Sequence, residues 1–356
     1  MKLFRQALVL LSDQFRPNQH RRSISAGLVV SAIALLLPLA SKADVNIYSY
    51  RQPFLIEPIF DAFTASTGIK VNTVFAKKGL VERLQNEGRN SPADILLTTD
   101  SGPLYQAVDR GLTQPVTSQL LHDSIPAEFR DPAGHWFGIS SRARIIVASK
   151  DRVSASDIKD YEDLAKPDLI SNICTRSGKH TYMVALTASM IAHLGYDQAS
   201  EWMDGVRGNL ARKPQGNDRA QVKAIHQGEC DVAIINSYYM GQMLADEEQK
   251  DWADAVNVIF PNQSNRGTHM NISGVSLTAG APNREEAIKL IEFMVSDQAQ
   301  SIYAEANHEY PVKTSTPWSD LVKSWGEFKT DSLPLAEIAK HRSSAVKLAD
   351  QVSYDR

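Results

Sequence analysis

The sequence predicts an α/β protein made of two lobes with a cleft between them. With 356 residues, the chain is long enough for two lobes of roughly 100 to 200 residues each. Its composition, 43% hydrophobic and 22% charged, is that of an ordinary globular protein, which excludes collagen-like, coiled-coil and wholly disordered chains. A helix, a strand and a polar turn also follow one another in both halves of the chain, which favours two related lobes.

The first 43 residues differ from the rest and are typical of a signal peptide. Basic residues, including Arg21 and Arg22, precede an apolar run over 26–39, and Ser41-Lys42-Ala43 has the small-x-small pattern of a cleavage site. The apolar run is short for a membrane span. We therefore expect export and cleavage after about Ala43, with an uncleaved N-terminal anchor as the alternative.

The mature chain begins with a strand, a helix and a second strand. Alternating apolar residues predict a strand over 44–50, and apolar residues at helical spacing predict a helix over 56–67. A second strand follows at 69–75. This order predicts a parallel pair of strands joined by a right-handed crossover.

The next pattern occurs twice. In each half a predicted helix leads to an apolar strand that ends in polar residues. The first pair is the helix at 81–87 and the strand at 94–98, and the second is the helix at 222–227 and the strand at 231–235. Ligands of open α/β sheets bind at the carboxyl ends of strands. The polar turns at 100–102 and 236–239 are therefore where we expect the binding site.

Two further strands are predicted to cross between the lobes. The β-rich run within 137–150 is the first crossing, and residues 272–277 are the candidate for the return. This assigns residues 44–141 and 272–356 to an N-terminal lobe and residues 142–271 to a C-terminal lobe.

Helical patterns continue towards the C-terminus. Residues 287–295 form an amphipathic helix, and shorter helical stretches occur at 335–339 and 345–352. We expect the polar tail after Pro311 to pack on the N-terminal lobe.

Charge and cysteine content narrow the functional classes. A net charge of -3 without a basic domain argues against nucleic acid as a partner. The two cysteines, Cys174 and Cys230, are expected to form a disulfide because export brings them into an oxidising compartment. Two buried free thiols are the alternative.

The pair Tyr238-Tyr239 is the most informative feature for function. It lies where a predicted strand gives way to a helix, so the backbone turn can bring both side chains to one site. Phenolate is a hard oxygen donor that suits Fe(III). The alternative is that the two rings only pack or line an apolar pocket.

A third tyrosine lies at the start of another helix in the same half. Tyr182 precedes the helix predicted at 183–194, for which Thr181 is the expected N-cap. The N-terminus of a helix can hold an anion beside this phenol, and Arg142 could donate to the same anion. The alternative for Arg142 is a surface or hinge position.

Five segments together carry a resemblance to a known family. They are Tyr48-Ser49-Tyr50-Arg51-Gln52-Pro53, Ser140-Ser141-Arg142-Ala143-Arg144, Arg176-Ser177-Gly178 leading to Tyr182, Gly228-Glu229-Cys230-Asp231 leading to Tyr238-Tyr239, and Asn307-His308-Glu309-Tyr310-Pro311-Val312. From residue 44 to about 312, the chain resembles the periplasmic ferric-ion-binding proteins of bacterial ABC iron importers, which have the type II solute-binding fold.

The resemblance implies a ligand set and a partner. Tyr182, Tyr238 and Tyr239 would be the ligands of Fe(3+), and a carbonate, bicarbonate or similar anion would complete the coordination near Arg142 and Arg51. The protein would be a periplasmic monomer that delivers iron to the permease of an ABC transporter in the inner membrane.

The chain departs from the family in its first lobe. Some branches add a histidine, or a histidine and a glutamate, from that lobe, whereas this chain has Gln52 and, by approximate alignment, Thr99. We therefore expect an exogenous anion or water in those coordination positions, with direct ligation by Tyr50 as a minor alternative.

Two other function classes are alternatives to an iron-binding protein. A binding protein of the same fold for a small oxyanion or organic acid would use the arginines and leave the tyrosines as cleft walls. An enzyme is not expected, because the sequence has no GxSxG, Walker, Rossmann or zinc motif.

Overall fold

The computed structural model describes residues 43–167 and 172–356. The predicted signal peptide lies outside the described residues apart from Ala43. Within the described part, no helix is long and apolar enough to cross a membrane.

The first part of the chain alternates strands and helices as predicted. Its elements are β1 (Val45–Ser49), α1 (Glu57–Thr67), β2 (Val71–Phe75), α2 (Leu80–Glu87), β3 (Ile95–Thr98), α3 (Ser101–Asp109), β4 (Thr113–Gln114), α4 (Gln119–Ser124) and β5 (Phe137–Ser149). The predicted strand, helix and strand are confirmed, since β1 and β2 pair in parallel on either side of α1.

The second part contains more helix. Its elements are β6 (Ile173–Cys174), α5 (Thr181–Leu194), α6 (Tyr196–Gly208), α7 (Asp218–His226), β7 (Val232–Asn236), α8 (Tyr238–Leu244), α9 (Lys250–Asp254), β8 (Val256–Ile259), β9 (Met270–Thr278), α10 (Arg284–Phe293), α11 (Asp297–Asn307), α12 (Asp320–Lys323), α13 (Leu335–Ala339) and α14 (Arg342–Gln351).

The strands form a mixed sheet in the order β2-β1-β3-β9-β5-β7-β6, with β4 beside β9 and β8 beside β5. The long strand β5 changes partners along its length. Residues 137–143 pair with β9, whereas residues 144–149 pair with β7 and β8. Both crossing strands predicted from the sequence are therefore present, as β5 and β9, while the lobe boundaries drawn through them stay a prediction.

The centre of the core lies along β5. All thirteen residues of this strand are buried, and its apolar run Ile145-Ile146-Val147 is fully inaccessible to solvent. A strand covered on both faces needs such a continuous apolar run rather than an alternating one. Helices cover the sheet, as expected for an α/β protein.

The predicted disulfide is confirmed. Cys174 of β6 and Cys230, just before β7, are bonded with their Cα atoms 5.9 Å apart. The bond joins two neighbouring strands of the sheet.

The packing of the C-terminal tail agrees with the prediction only in part. α13 contacts α3 of the predicted N-terminal lobe as well as α5, whereas α14 packs against α5 and α6. Every residue of α5 from Tyr182 to Ile191 is buried, so this helix must be covered on all sides, and α14 covers one of them. The sequence pattern of α14 identified its own apolar face but not the helix that the face would contact.

Candidate metal centre

Three phenol groups converge at one site, as the sequence predicted. Tyr238 and Tyr239 form the first turn of α8, immediately after β7 ends, and their rings stack with centroids 4.2 Å apart. Tyr182 lies in the first turn of α5, and its hydroxyl oxygen is 3.5 Å from that of Tyr238. Two helix starts therefore bring three hydroxyl-bearing rings to one place.

The start of α5 is capped by a different residue from the one expected. His180 has an extended backbone, and its Nδ1 accepts a hydrogen bond from the backbone N–H of Tyr182 at 3.3 Å. Thr181 is already helical, so its hydroxyl cannot serve as the N-cap. Instead, the Thr181 hydroxyl accepts a hydrogen bond from Arg342.

The tyrosines line a cavity of about 530 Å³. The lining also includes Gln52 and Thr99, the two residues predicted at the first-lobe ligand positions. Tyr50 also lines the cavity, but its hydroxyl oxygen accepts hydrogen bonds from the backbone N–H groups of Leu80 and Val81 at 2.9 and 3.0 Å. The oxygen of Tyr50 is thus already bound at the start of α2.

Cationic side chains surround the phenols. Lys77, Arg176 and Arg219 line the cavity, and among the described lining residues none is an aspartate or a glutamate. The guanidinium carbon of Arg176 lies 5.4 Å from the ring centre of Tyr182, and that of Arg219 lies 5.8 Å from the ring centre of Tyr239. These three cations lie on separate elements, so no local sequence pattern brings them together.

Arg142 and Arg51, the predicted anion-binding arginines, lie behind the cavity rather than in its lining. Arg142 donates to the backbone carbonyl of Thr99 at 2.9 Å and to Ser273 at 3.1 Å. Its guanidinium carbon is 5.8 Å from the ring centre of Tyr238.

The position of Arg51 is at odds with the anion-binding role predicted for it. Its two terminal nitrogens donate to both carboxylate oxygens of Glu309, at 3.0 and 2.6 Å, and the side chain is buried. A forked pair of this kind uses the donor face that an anion would need. The partner is 258 residues away in the chain, so no local pattern identifies it.

A buried charge cluster supports the site from behind. The carboxylate of Asp218 accepts from Arg144 at 2.7 Å and from Arg176 at 2.5 Å, and also from the backbone N–H of Asn236 at 3.0 Å. The guanidinium carbon of Arg144 lies 5.7 Å from the ring centre of Tyr182. Two arginines against one carboxylate leave one net positive charge beside the phenols.

The protein environment disfavours ionisation of Tyr238 and Tyr239 when no metal is bound. Burial raises the pKa of Tyr238 well above its usual value, and neighbouring phenols raise it further. Burial also raises the pKa of Tyr239. Burial and the positive charge of Arg176 lower the pKa of His180 to about 4. In the metal-free protein these groups are therefore neutral at physiological pH.

Comparison with known proteins identifies the family. Residues 90–330 match the family described as bacterial extracellular solute-binding protein. The chain belongs to this family. It is 42% identical to iron uptake protein A1 of Synechocystis over 314 residues, which is 87% of each chain. These relatives are solute-binding proteins of iron transport and not enzymes, in agreement with the expectation from the sequence.

Solved structures confirm the type II solute-binding fold. The apo ferric ion-binding protein A of Pasteurella haemolytica is 50% identical, with a TM-score of 0.84 over 88% of this chain and 99% of that one. The Trichodesmium protein solved in complex with iron and citrate ligands is 42% identical, with a TM-score of 0.83 over the same shares. The resemblance inferred from the sequence motifs is thus confirmed.

Proposed function

We propose that this protein captures ferric iron through the phenolates of Tyr182, Tyr238 and Tyr239. The convergence of these three side chains on one cavity is the observation that carries the proposal. Across the described residues, no group of three or more histidine, cysteine, aspartate or glutamate side chains is placed to hold a metal ion. Phenolates are hard donors and match hard Fe(III) better than softer metals.

Binding of iron in this way requires the phenols to lose their protons. Three phenolates neutralise the charge of Fe(3+), and metal binding to protonated ligands releases protons. Because burial raises the pKa values of Tyr238 and Tyr239, the metal must displace protons that the free protein holds firmly. Uptake of iron is therefore favoured by high pH and opposed by low pH.

An exogenous anion completes the proposed site. The first-lobe wall offers Gln52 and Thr99, which are neutral, while Lys77, Arg176 and Arg219 supply positive charge in the same cavity. A cavity of about 530 Å³ has room for an anion beside the metal, and a related protein was solved with iron and citrate. Carbonate, bicarbonate or a small carboxylate fits these cations, with Arg142 as a further donor behind Tyr238.

The setting proposed for this activity is the periplasm. The basic and apolar pattern of residues 1–43 supports export, and the family consists of extracellular solute-binding proteins. We propose that the monomer passes its iron to the permease of an ABC transporter in the inner membrane.

A visible absorption titration tests the proposal. The mature protein is titrated with ferric citrate plus bicarbonate beside the variants Tyr238→Phe and Tyr48→Phe. A phenolate-to-iron charge-transfer band should saturate near one equivalent, and proton release should accompany it. The band should be lost or shifted in Tyr238→Phe. It should be unchanged in Tyr48→Phe, because that hydroxyl binds Glu87 outside the cavity lining.

A colourless wild-type protein under these conditions would refute iron capture by the tyrosines. Binding of an oxyanion or organic acid to the cationic cavity would then become the leading function. Isothermal titration with citrate alone would measure that binding directly.

A further inference from the structure

The loop between β6 and α5 determines where Tyr182 stands. It runs over residues 175–181, from the disulfide-bonded strand to the first turn of the helix that carries this tyrosine. Any movement of the loop is passed to Tyr182, because the helix begins directly after it. What holds this loop therefore also holds one wall of the metal centre.

The last fifteen residues of the chain hold the loop. The hydroxyl groups of Tyr354 and Thr175 form a hydrogen bond at 3.0 Å, and the carboxylate of Asp355 accepts from the Ser177 hydroxyl at 2.7 Å and from the Gly178 N–H at 2.9 Å. Lys179 forms an ion pair with Asp350. Arg342 donates to the Thr181 hydroxyl at 2.9 Å. The tail thus contacts the loop from its first residue to its last.

The contact is close as well as polar. A Cβ atom built on Gly178 would lie 2.8 Å from a ring carbon of Tyr354, a distance too short for any larger residue without a shift. The ring of Tyr354 is itself 1% exposed. The tail therefore lies directly on the loop backbone, with no space between them.

Arg342 also joins this loop to the start of α3, next to another part of the cavity lining. Besides its bond to Thr181, its Nη1 atom lies 2.8 Å from a carboxylate oxygen of Asp100, the N-cap of α3. Asp100 directly follows Thr99, which lines the same cavity as the three tyrosines. One guanidinium thus spans from the Tyr182 side of the cavity to the Thr99 side.

The side chain of Arg342 is closely packed where it runs between Thr181 and Asp100. A Cβ atom built on Gly102 would lie 2.2 Å from Nε of Arg342, so the side chain lies directly on the backbone of α3. The carboxylate side chain of Asp100 is 1% exposed, and that of Arg342 is 18% exposed. A largely desolvated ion pair of this kind is stronger than an exposed pair.

We infer that the C-terminal segment is a structural part of the metal centre, with Arg342 as its main positioning residue. This inference rests on the proposed ligation of iron by Tyr182. Arg342 does not contact the metal. It fixes the start of α5 against the Thr99 wall, and so it holds Tyr182 in place and opposes separation of the two walls when iron is bound.

The test measures iron release from the loaded protein. Arg342→Gln removes the charge and the fork, while Arg342→Lys keeps the charge but cannot reach both acceptors with the same planar geometry. Transfer of iron to an excess of a strong chelator should be about tenfold faster in Arg342→Gln, the factor expected for the loss of one charge-assisted contact. Arg342→Lys should rescue only part of this loss. The charge-transfer band should also shift, because the Tyr182 phenolate changes its position.

A control variant separates positioning from general effects of the tail. Lys340→Gln removes a positive charge two residues away, but that lysine pairs only with Glu337 of its own helical turn in the described structure. Its release rate and band should equal those of the wild type. Thermal unfolding of each metal-free variant reports whether the fold is intact.

Distinct outcomes separate this inference from the proposed function. A wild-type protein with no charge-transfer band refutes the tyrosine site itself. A wild-type band with release from Arg342→Gln within twofold of the wild-type rate overturns the positioning role of Arg342. If Arg342→Gln does not fold, Asp355→Asn serves instead, with release expected about threefold faster; wild-type release from that variant also overturns the inference.

Discussion

The buried cluster around Asp218 gives the most direct test of the electrostatics behind the metal centre. Asp218→Asn keeps the size of the side chain and removes its charge. The carboxylate has no exposed surface, and its partners Arg144 and Arg176 have side chains that are 0% and 14% exposed. The substitution leaves two guanidinium groups close together and largely desolvated, with no opposite charge to balance them.

The expected loss follows from that burial. Breaking a buried ion pair by removing one partner costs about 3 to 5 kcal/mol of unfolding free energy, because the remaining charge stays desolvated. For a chain of this length such a loss lowers the melting temperature by roughly 5 to 8 °C. Burial favours the neutral acid, yet Arg144 and Arg176 outweigh it, so the pKa of Asp218 lies below its usual value. The stabilisation is therefore complete at neutral pH and is lost only as pH falls through that lowered pKa.

Urea unfolding of the metal-free protein at pH 7, followed by circular dichroism, measures this loss. The matched control is Asp320→Asn, whose carboxylate pairs with Lys323 but is fully exposed. That variant should change stability by less than about 0.5 kcal/mol. The reasoning is refuted if Asp218→Asn is no more destabilising than the control. Adding Arg176→Gln to Asp218→Asn should recover part of the loss, because it removes one of the unbalanced charges.

Two other predictions concern pH dependence and close packing. His269 is buried, and among the described residues neither of its ring nitrogens makes a hydrogen bond. Burial lowers its pKa to about 4. The unfolding free energy therefore has its full value above about pH 6.5 and decreases as the pH falls towards 4, where only the unfolded state binds the proton. His269→Leu should remove up to about 3 kcal/mol of the pH dependence of urea unfolding between pH 7 and 4, and an unchanged slope would contradict this. A Cβ on Gly241 would lie 2.5 Å from the side chain of His308, so Gly241→Ala should cost about 1 to 3 kcal/mol in the same assay, whereas Gly208→Ala, with open space, should be neutral or stabilising. Adding His308→Gly to Gly241→Ala should recover stability, because glycine also suits the left-handed backbone at position 308, and this recovery would confirm the contact. Equal effects of Gly241→Ala and Gly208→Ala would rule the contact out.

Much of the fold could be predicted because its elements depend on local patterns. The alternation within β1 and the helical spacing in α1 identify those elements without any knowledge of their neighbours. The apolar run of β5 likewise identified a strand. The packing of the tail was harder to predict, because an apolar face on α14 shows that the helix packs but does not identify the surface that it contacts.

The site was predictable where helix starts determine it. Tyr182 and Tyr238 lie in the first turns of two helices, and such turns can be recognised from the sequence. The N-cap of α5 was assigned one residue too late, since His180 is not among the common capping residues. The pairing of Arg51 could not be predicted for a different reason, because its partner Glu309 lies far away in the chain.

The charge cluster around Asp218 could not be predicted from the sequence. Asp218 follows Asn217, the N-cap of α7, and so it resembles an ordinary acidic residue in a first helical turn. An arginine in the apolar strand β5, Arg144, was the available clue, because a charged residue buried in a strand needs a partner. The identity of that partner depends on tertiary structure.

The position of β9 has a consequence for how the molecule is made. This strand lies between β3 and β5 in the sheet, yet it follows β3 by more than 170 residues in the chain. While the chain is being synthesised, β3 therefore presents an unpaired edge until residues 270–278 have emerged. Pairing across such a distance closes slowly. A nascent chain that cannot complete its sheet early remains unfolded for longer, and this would suit the proposed export of the chain in an unfolded state.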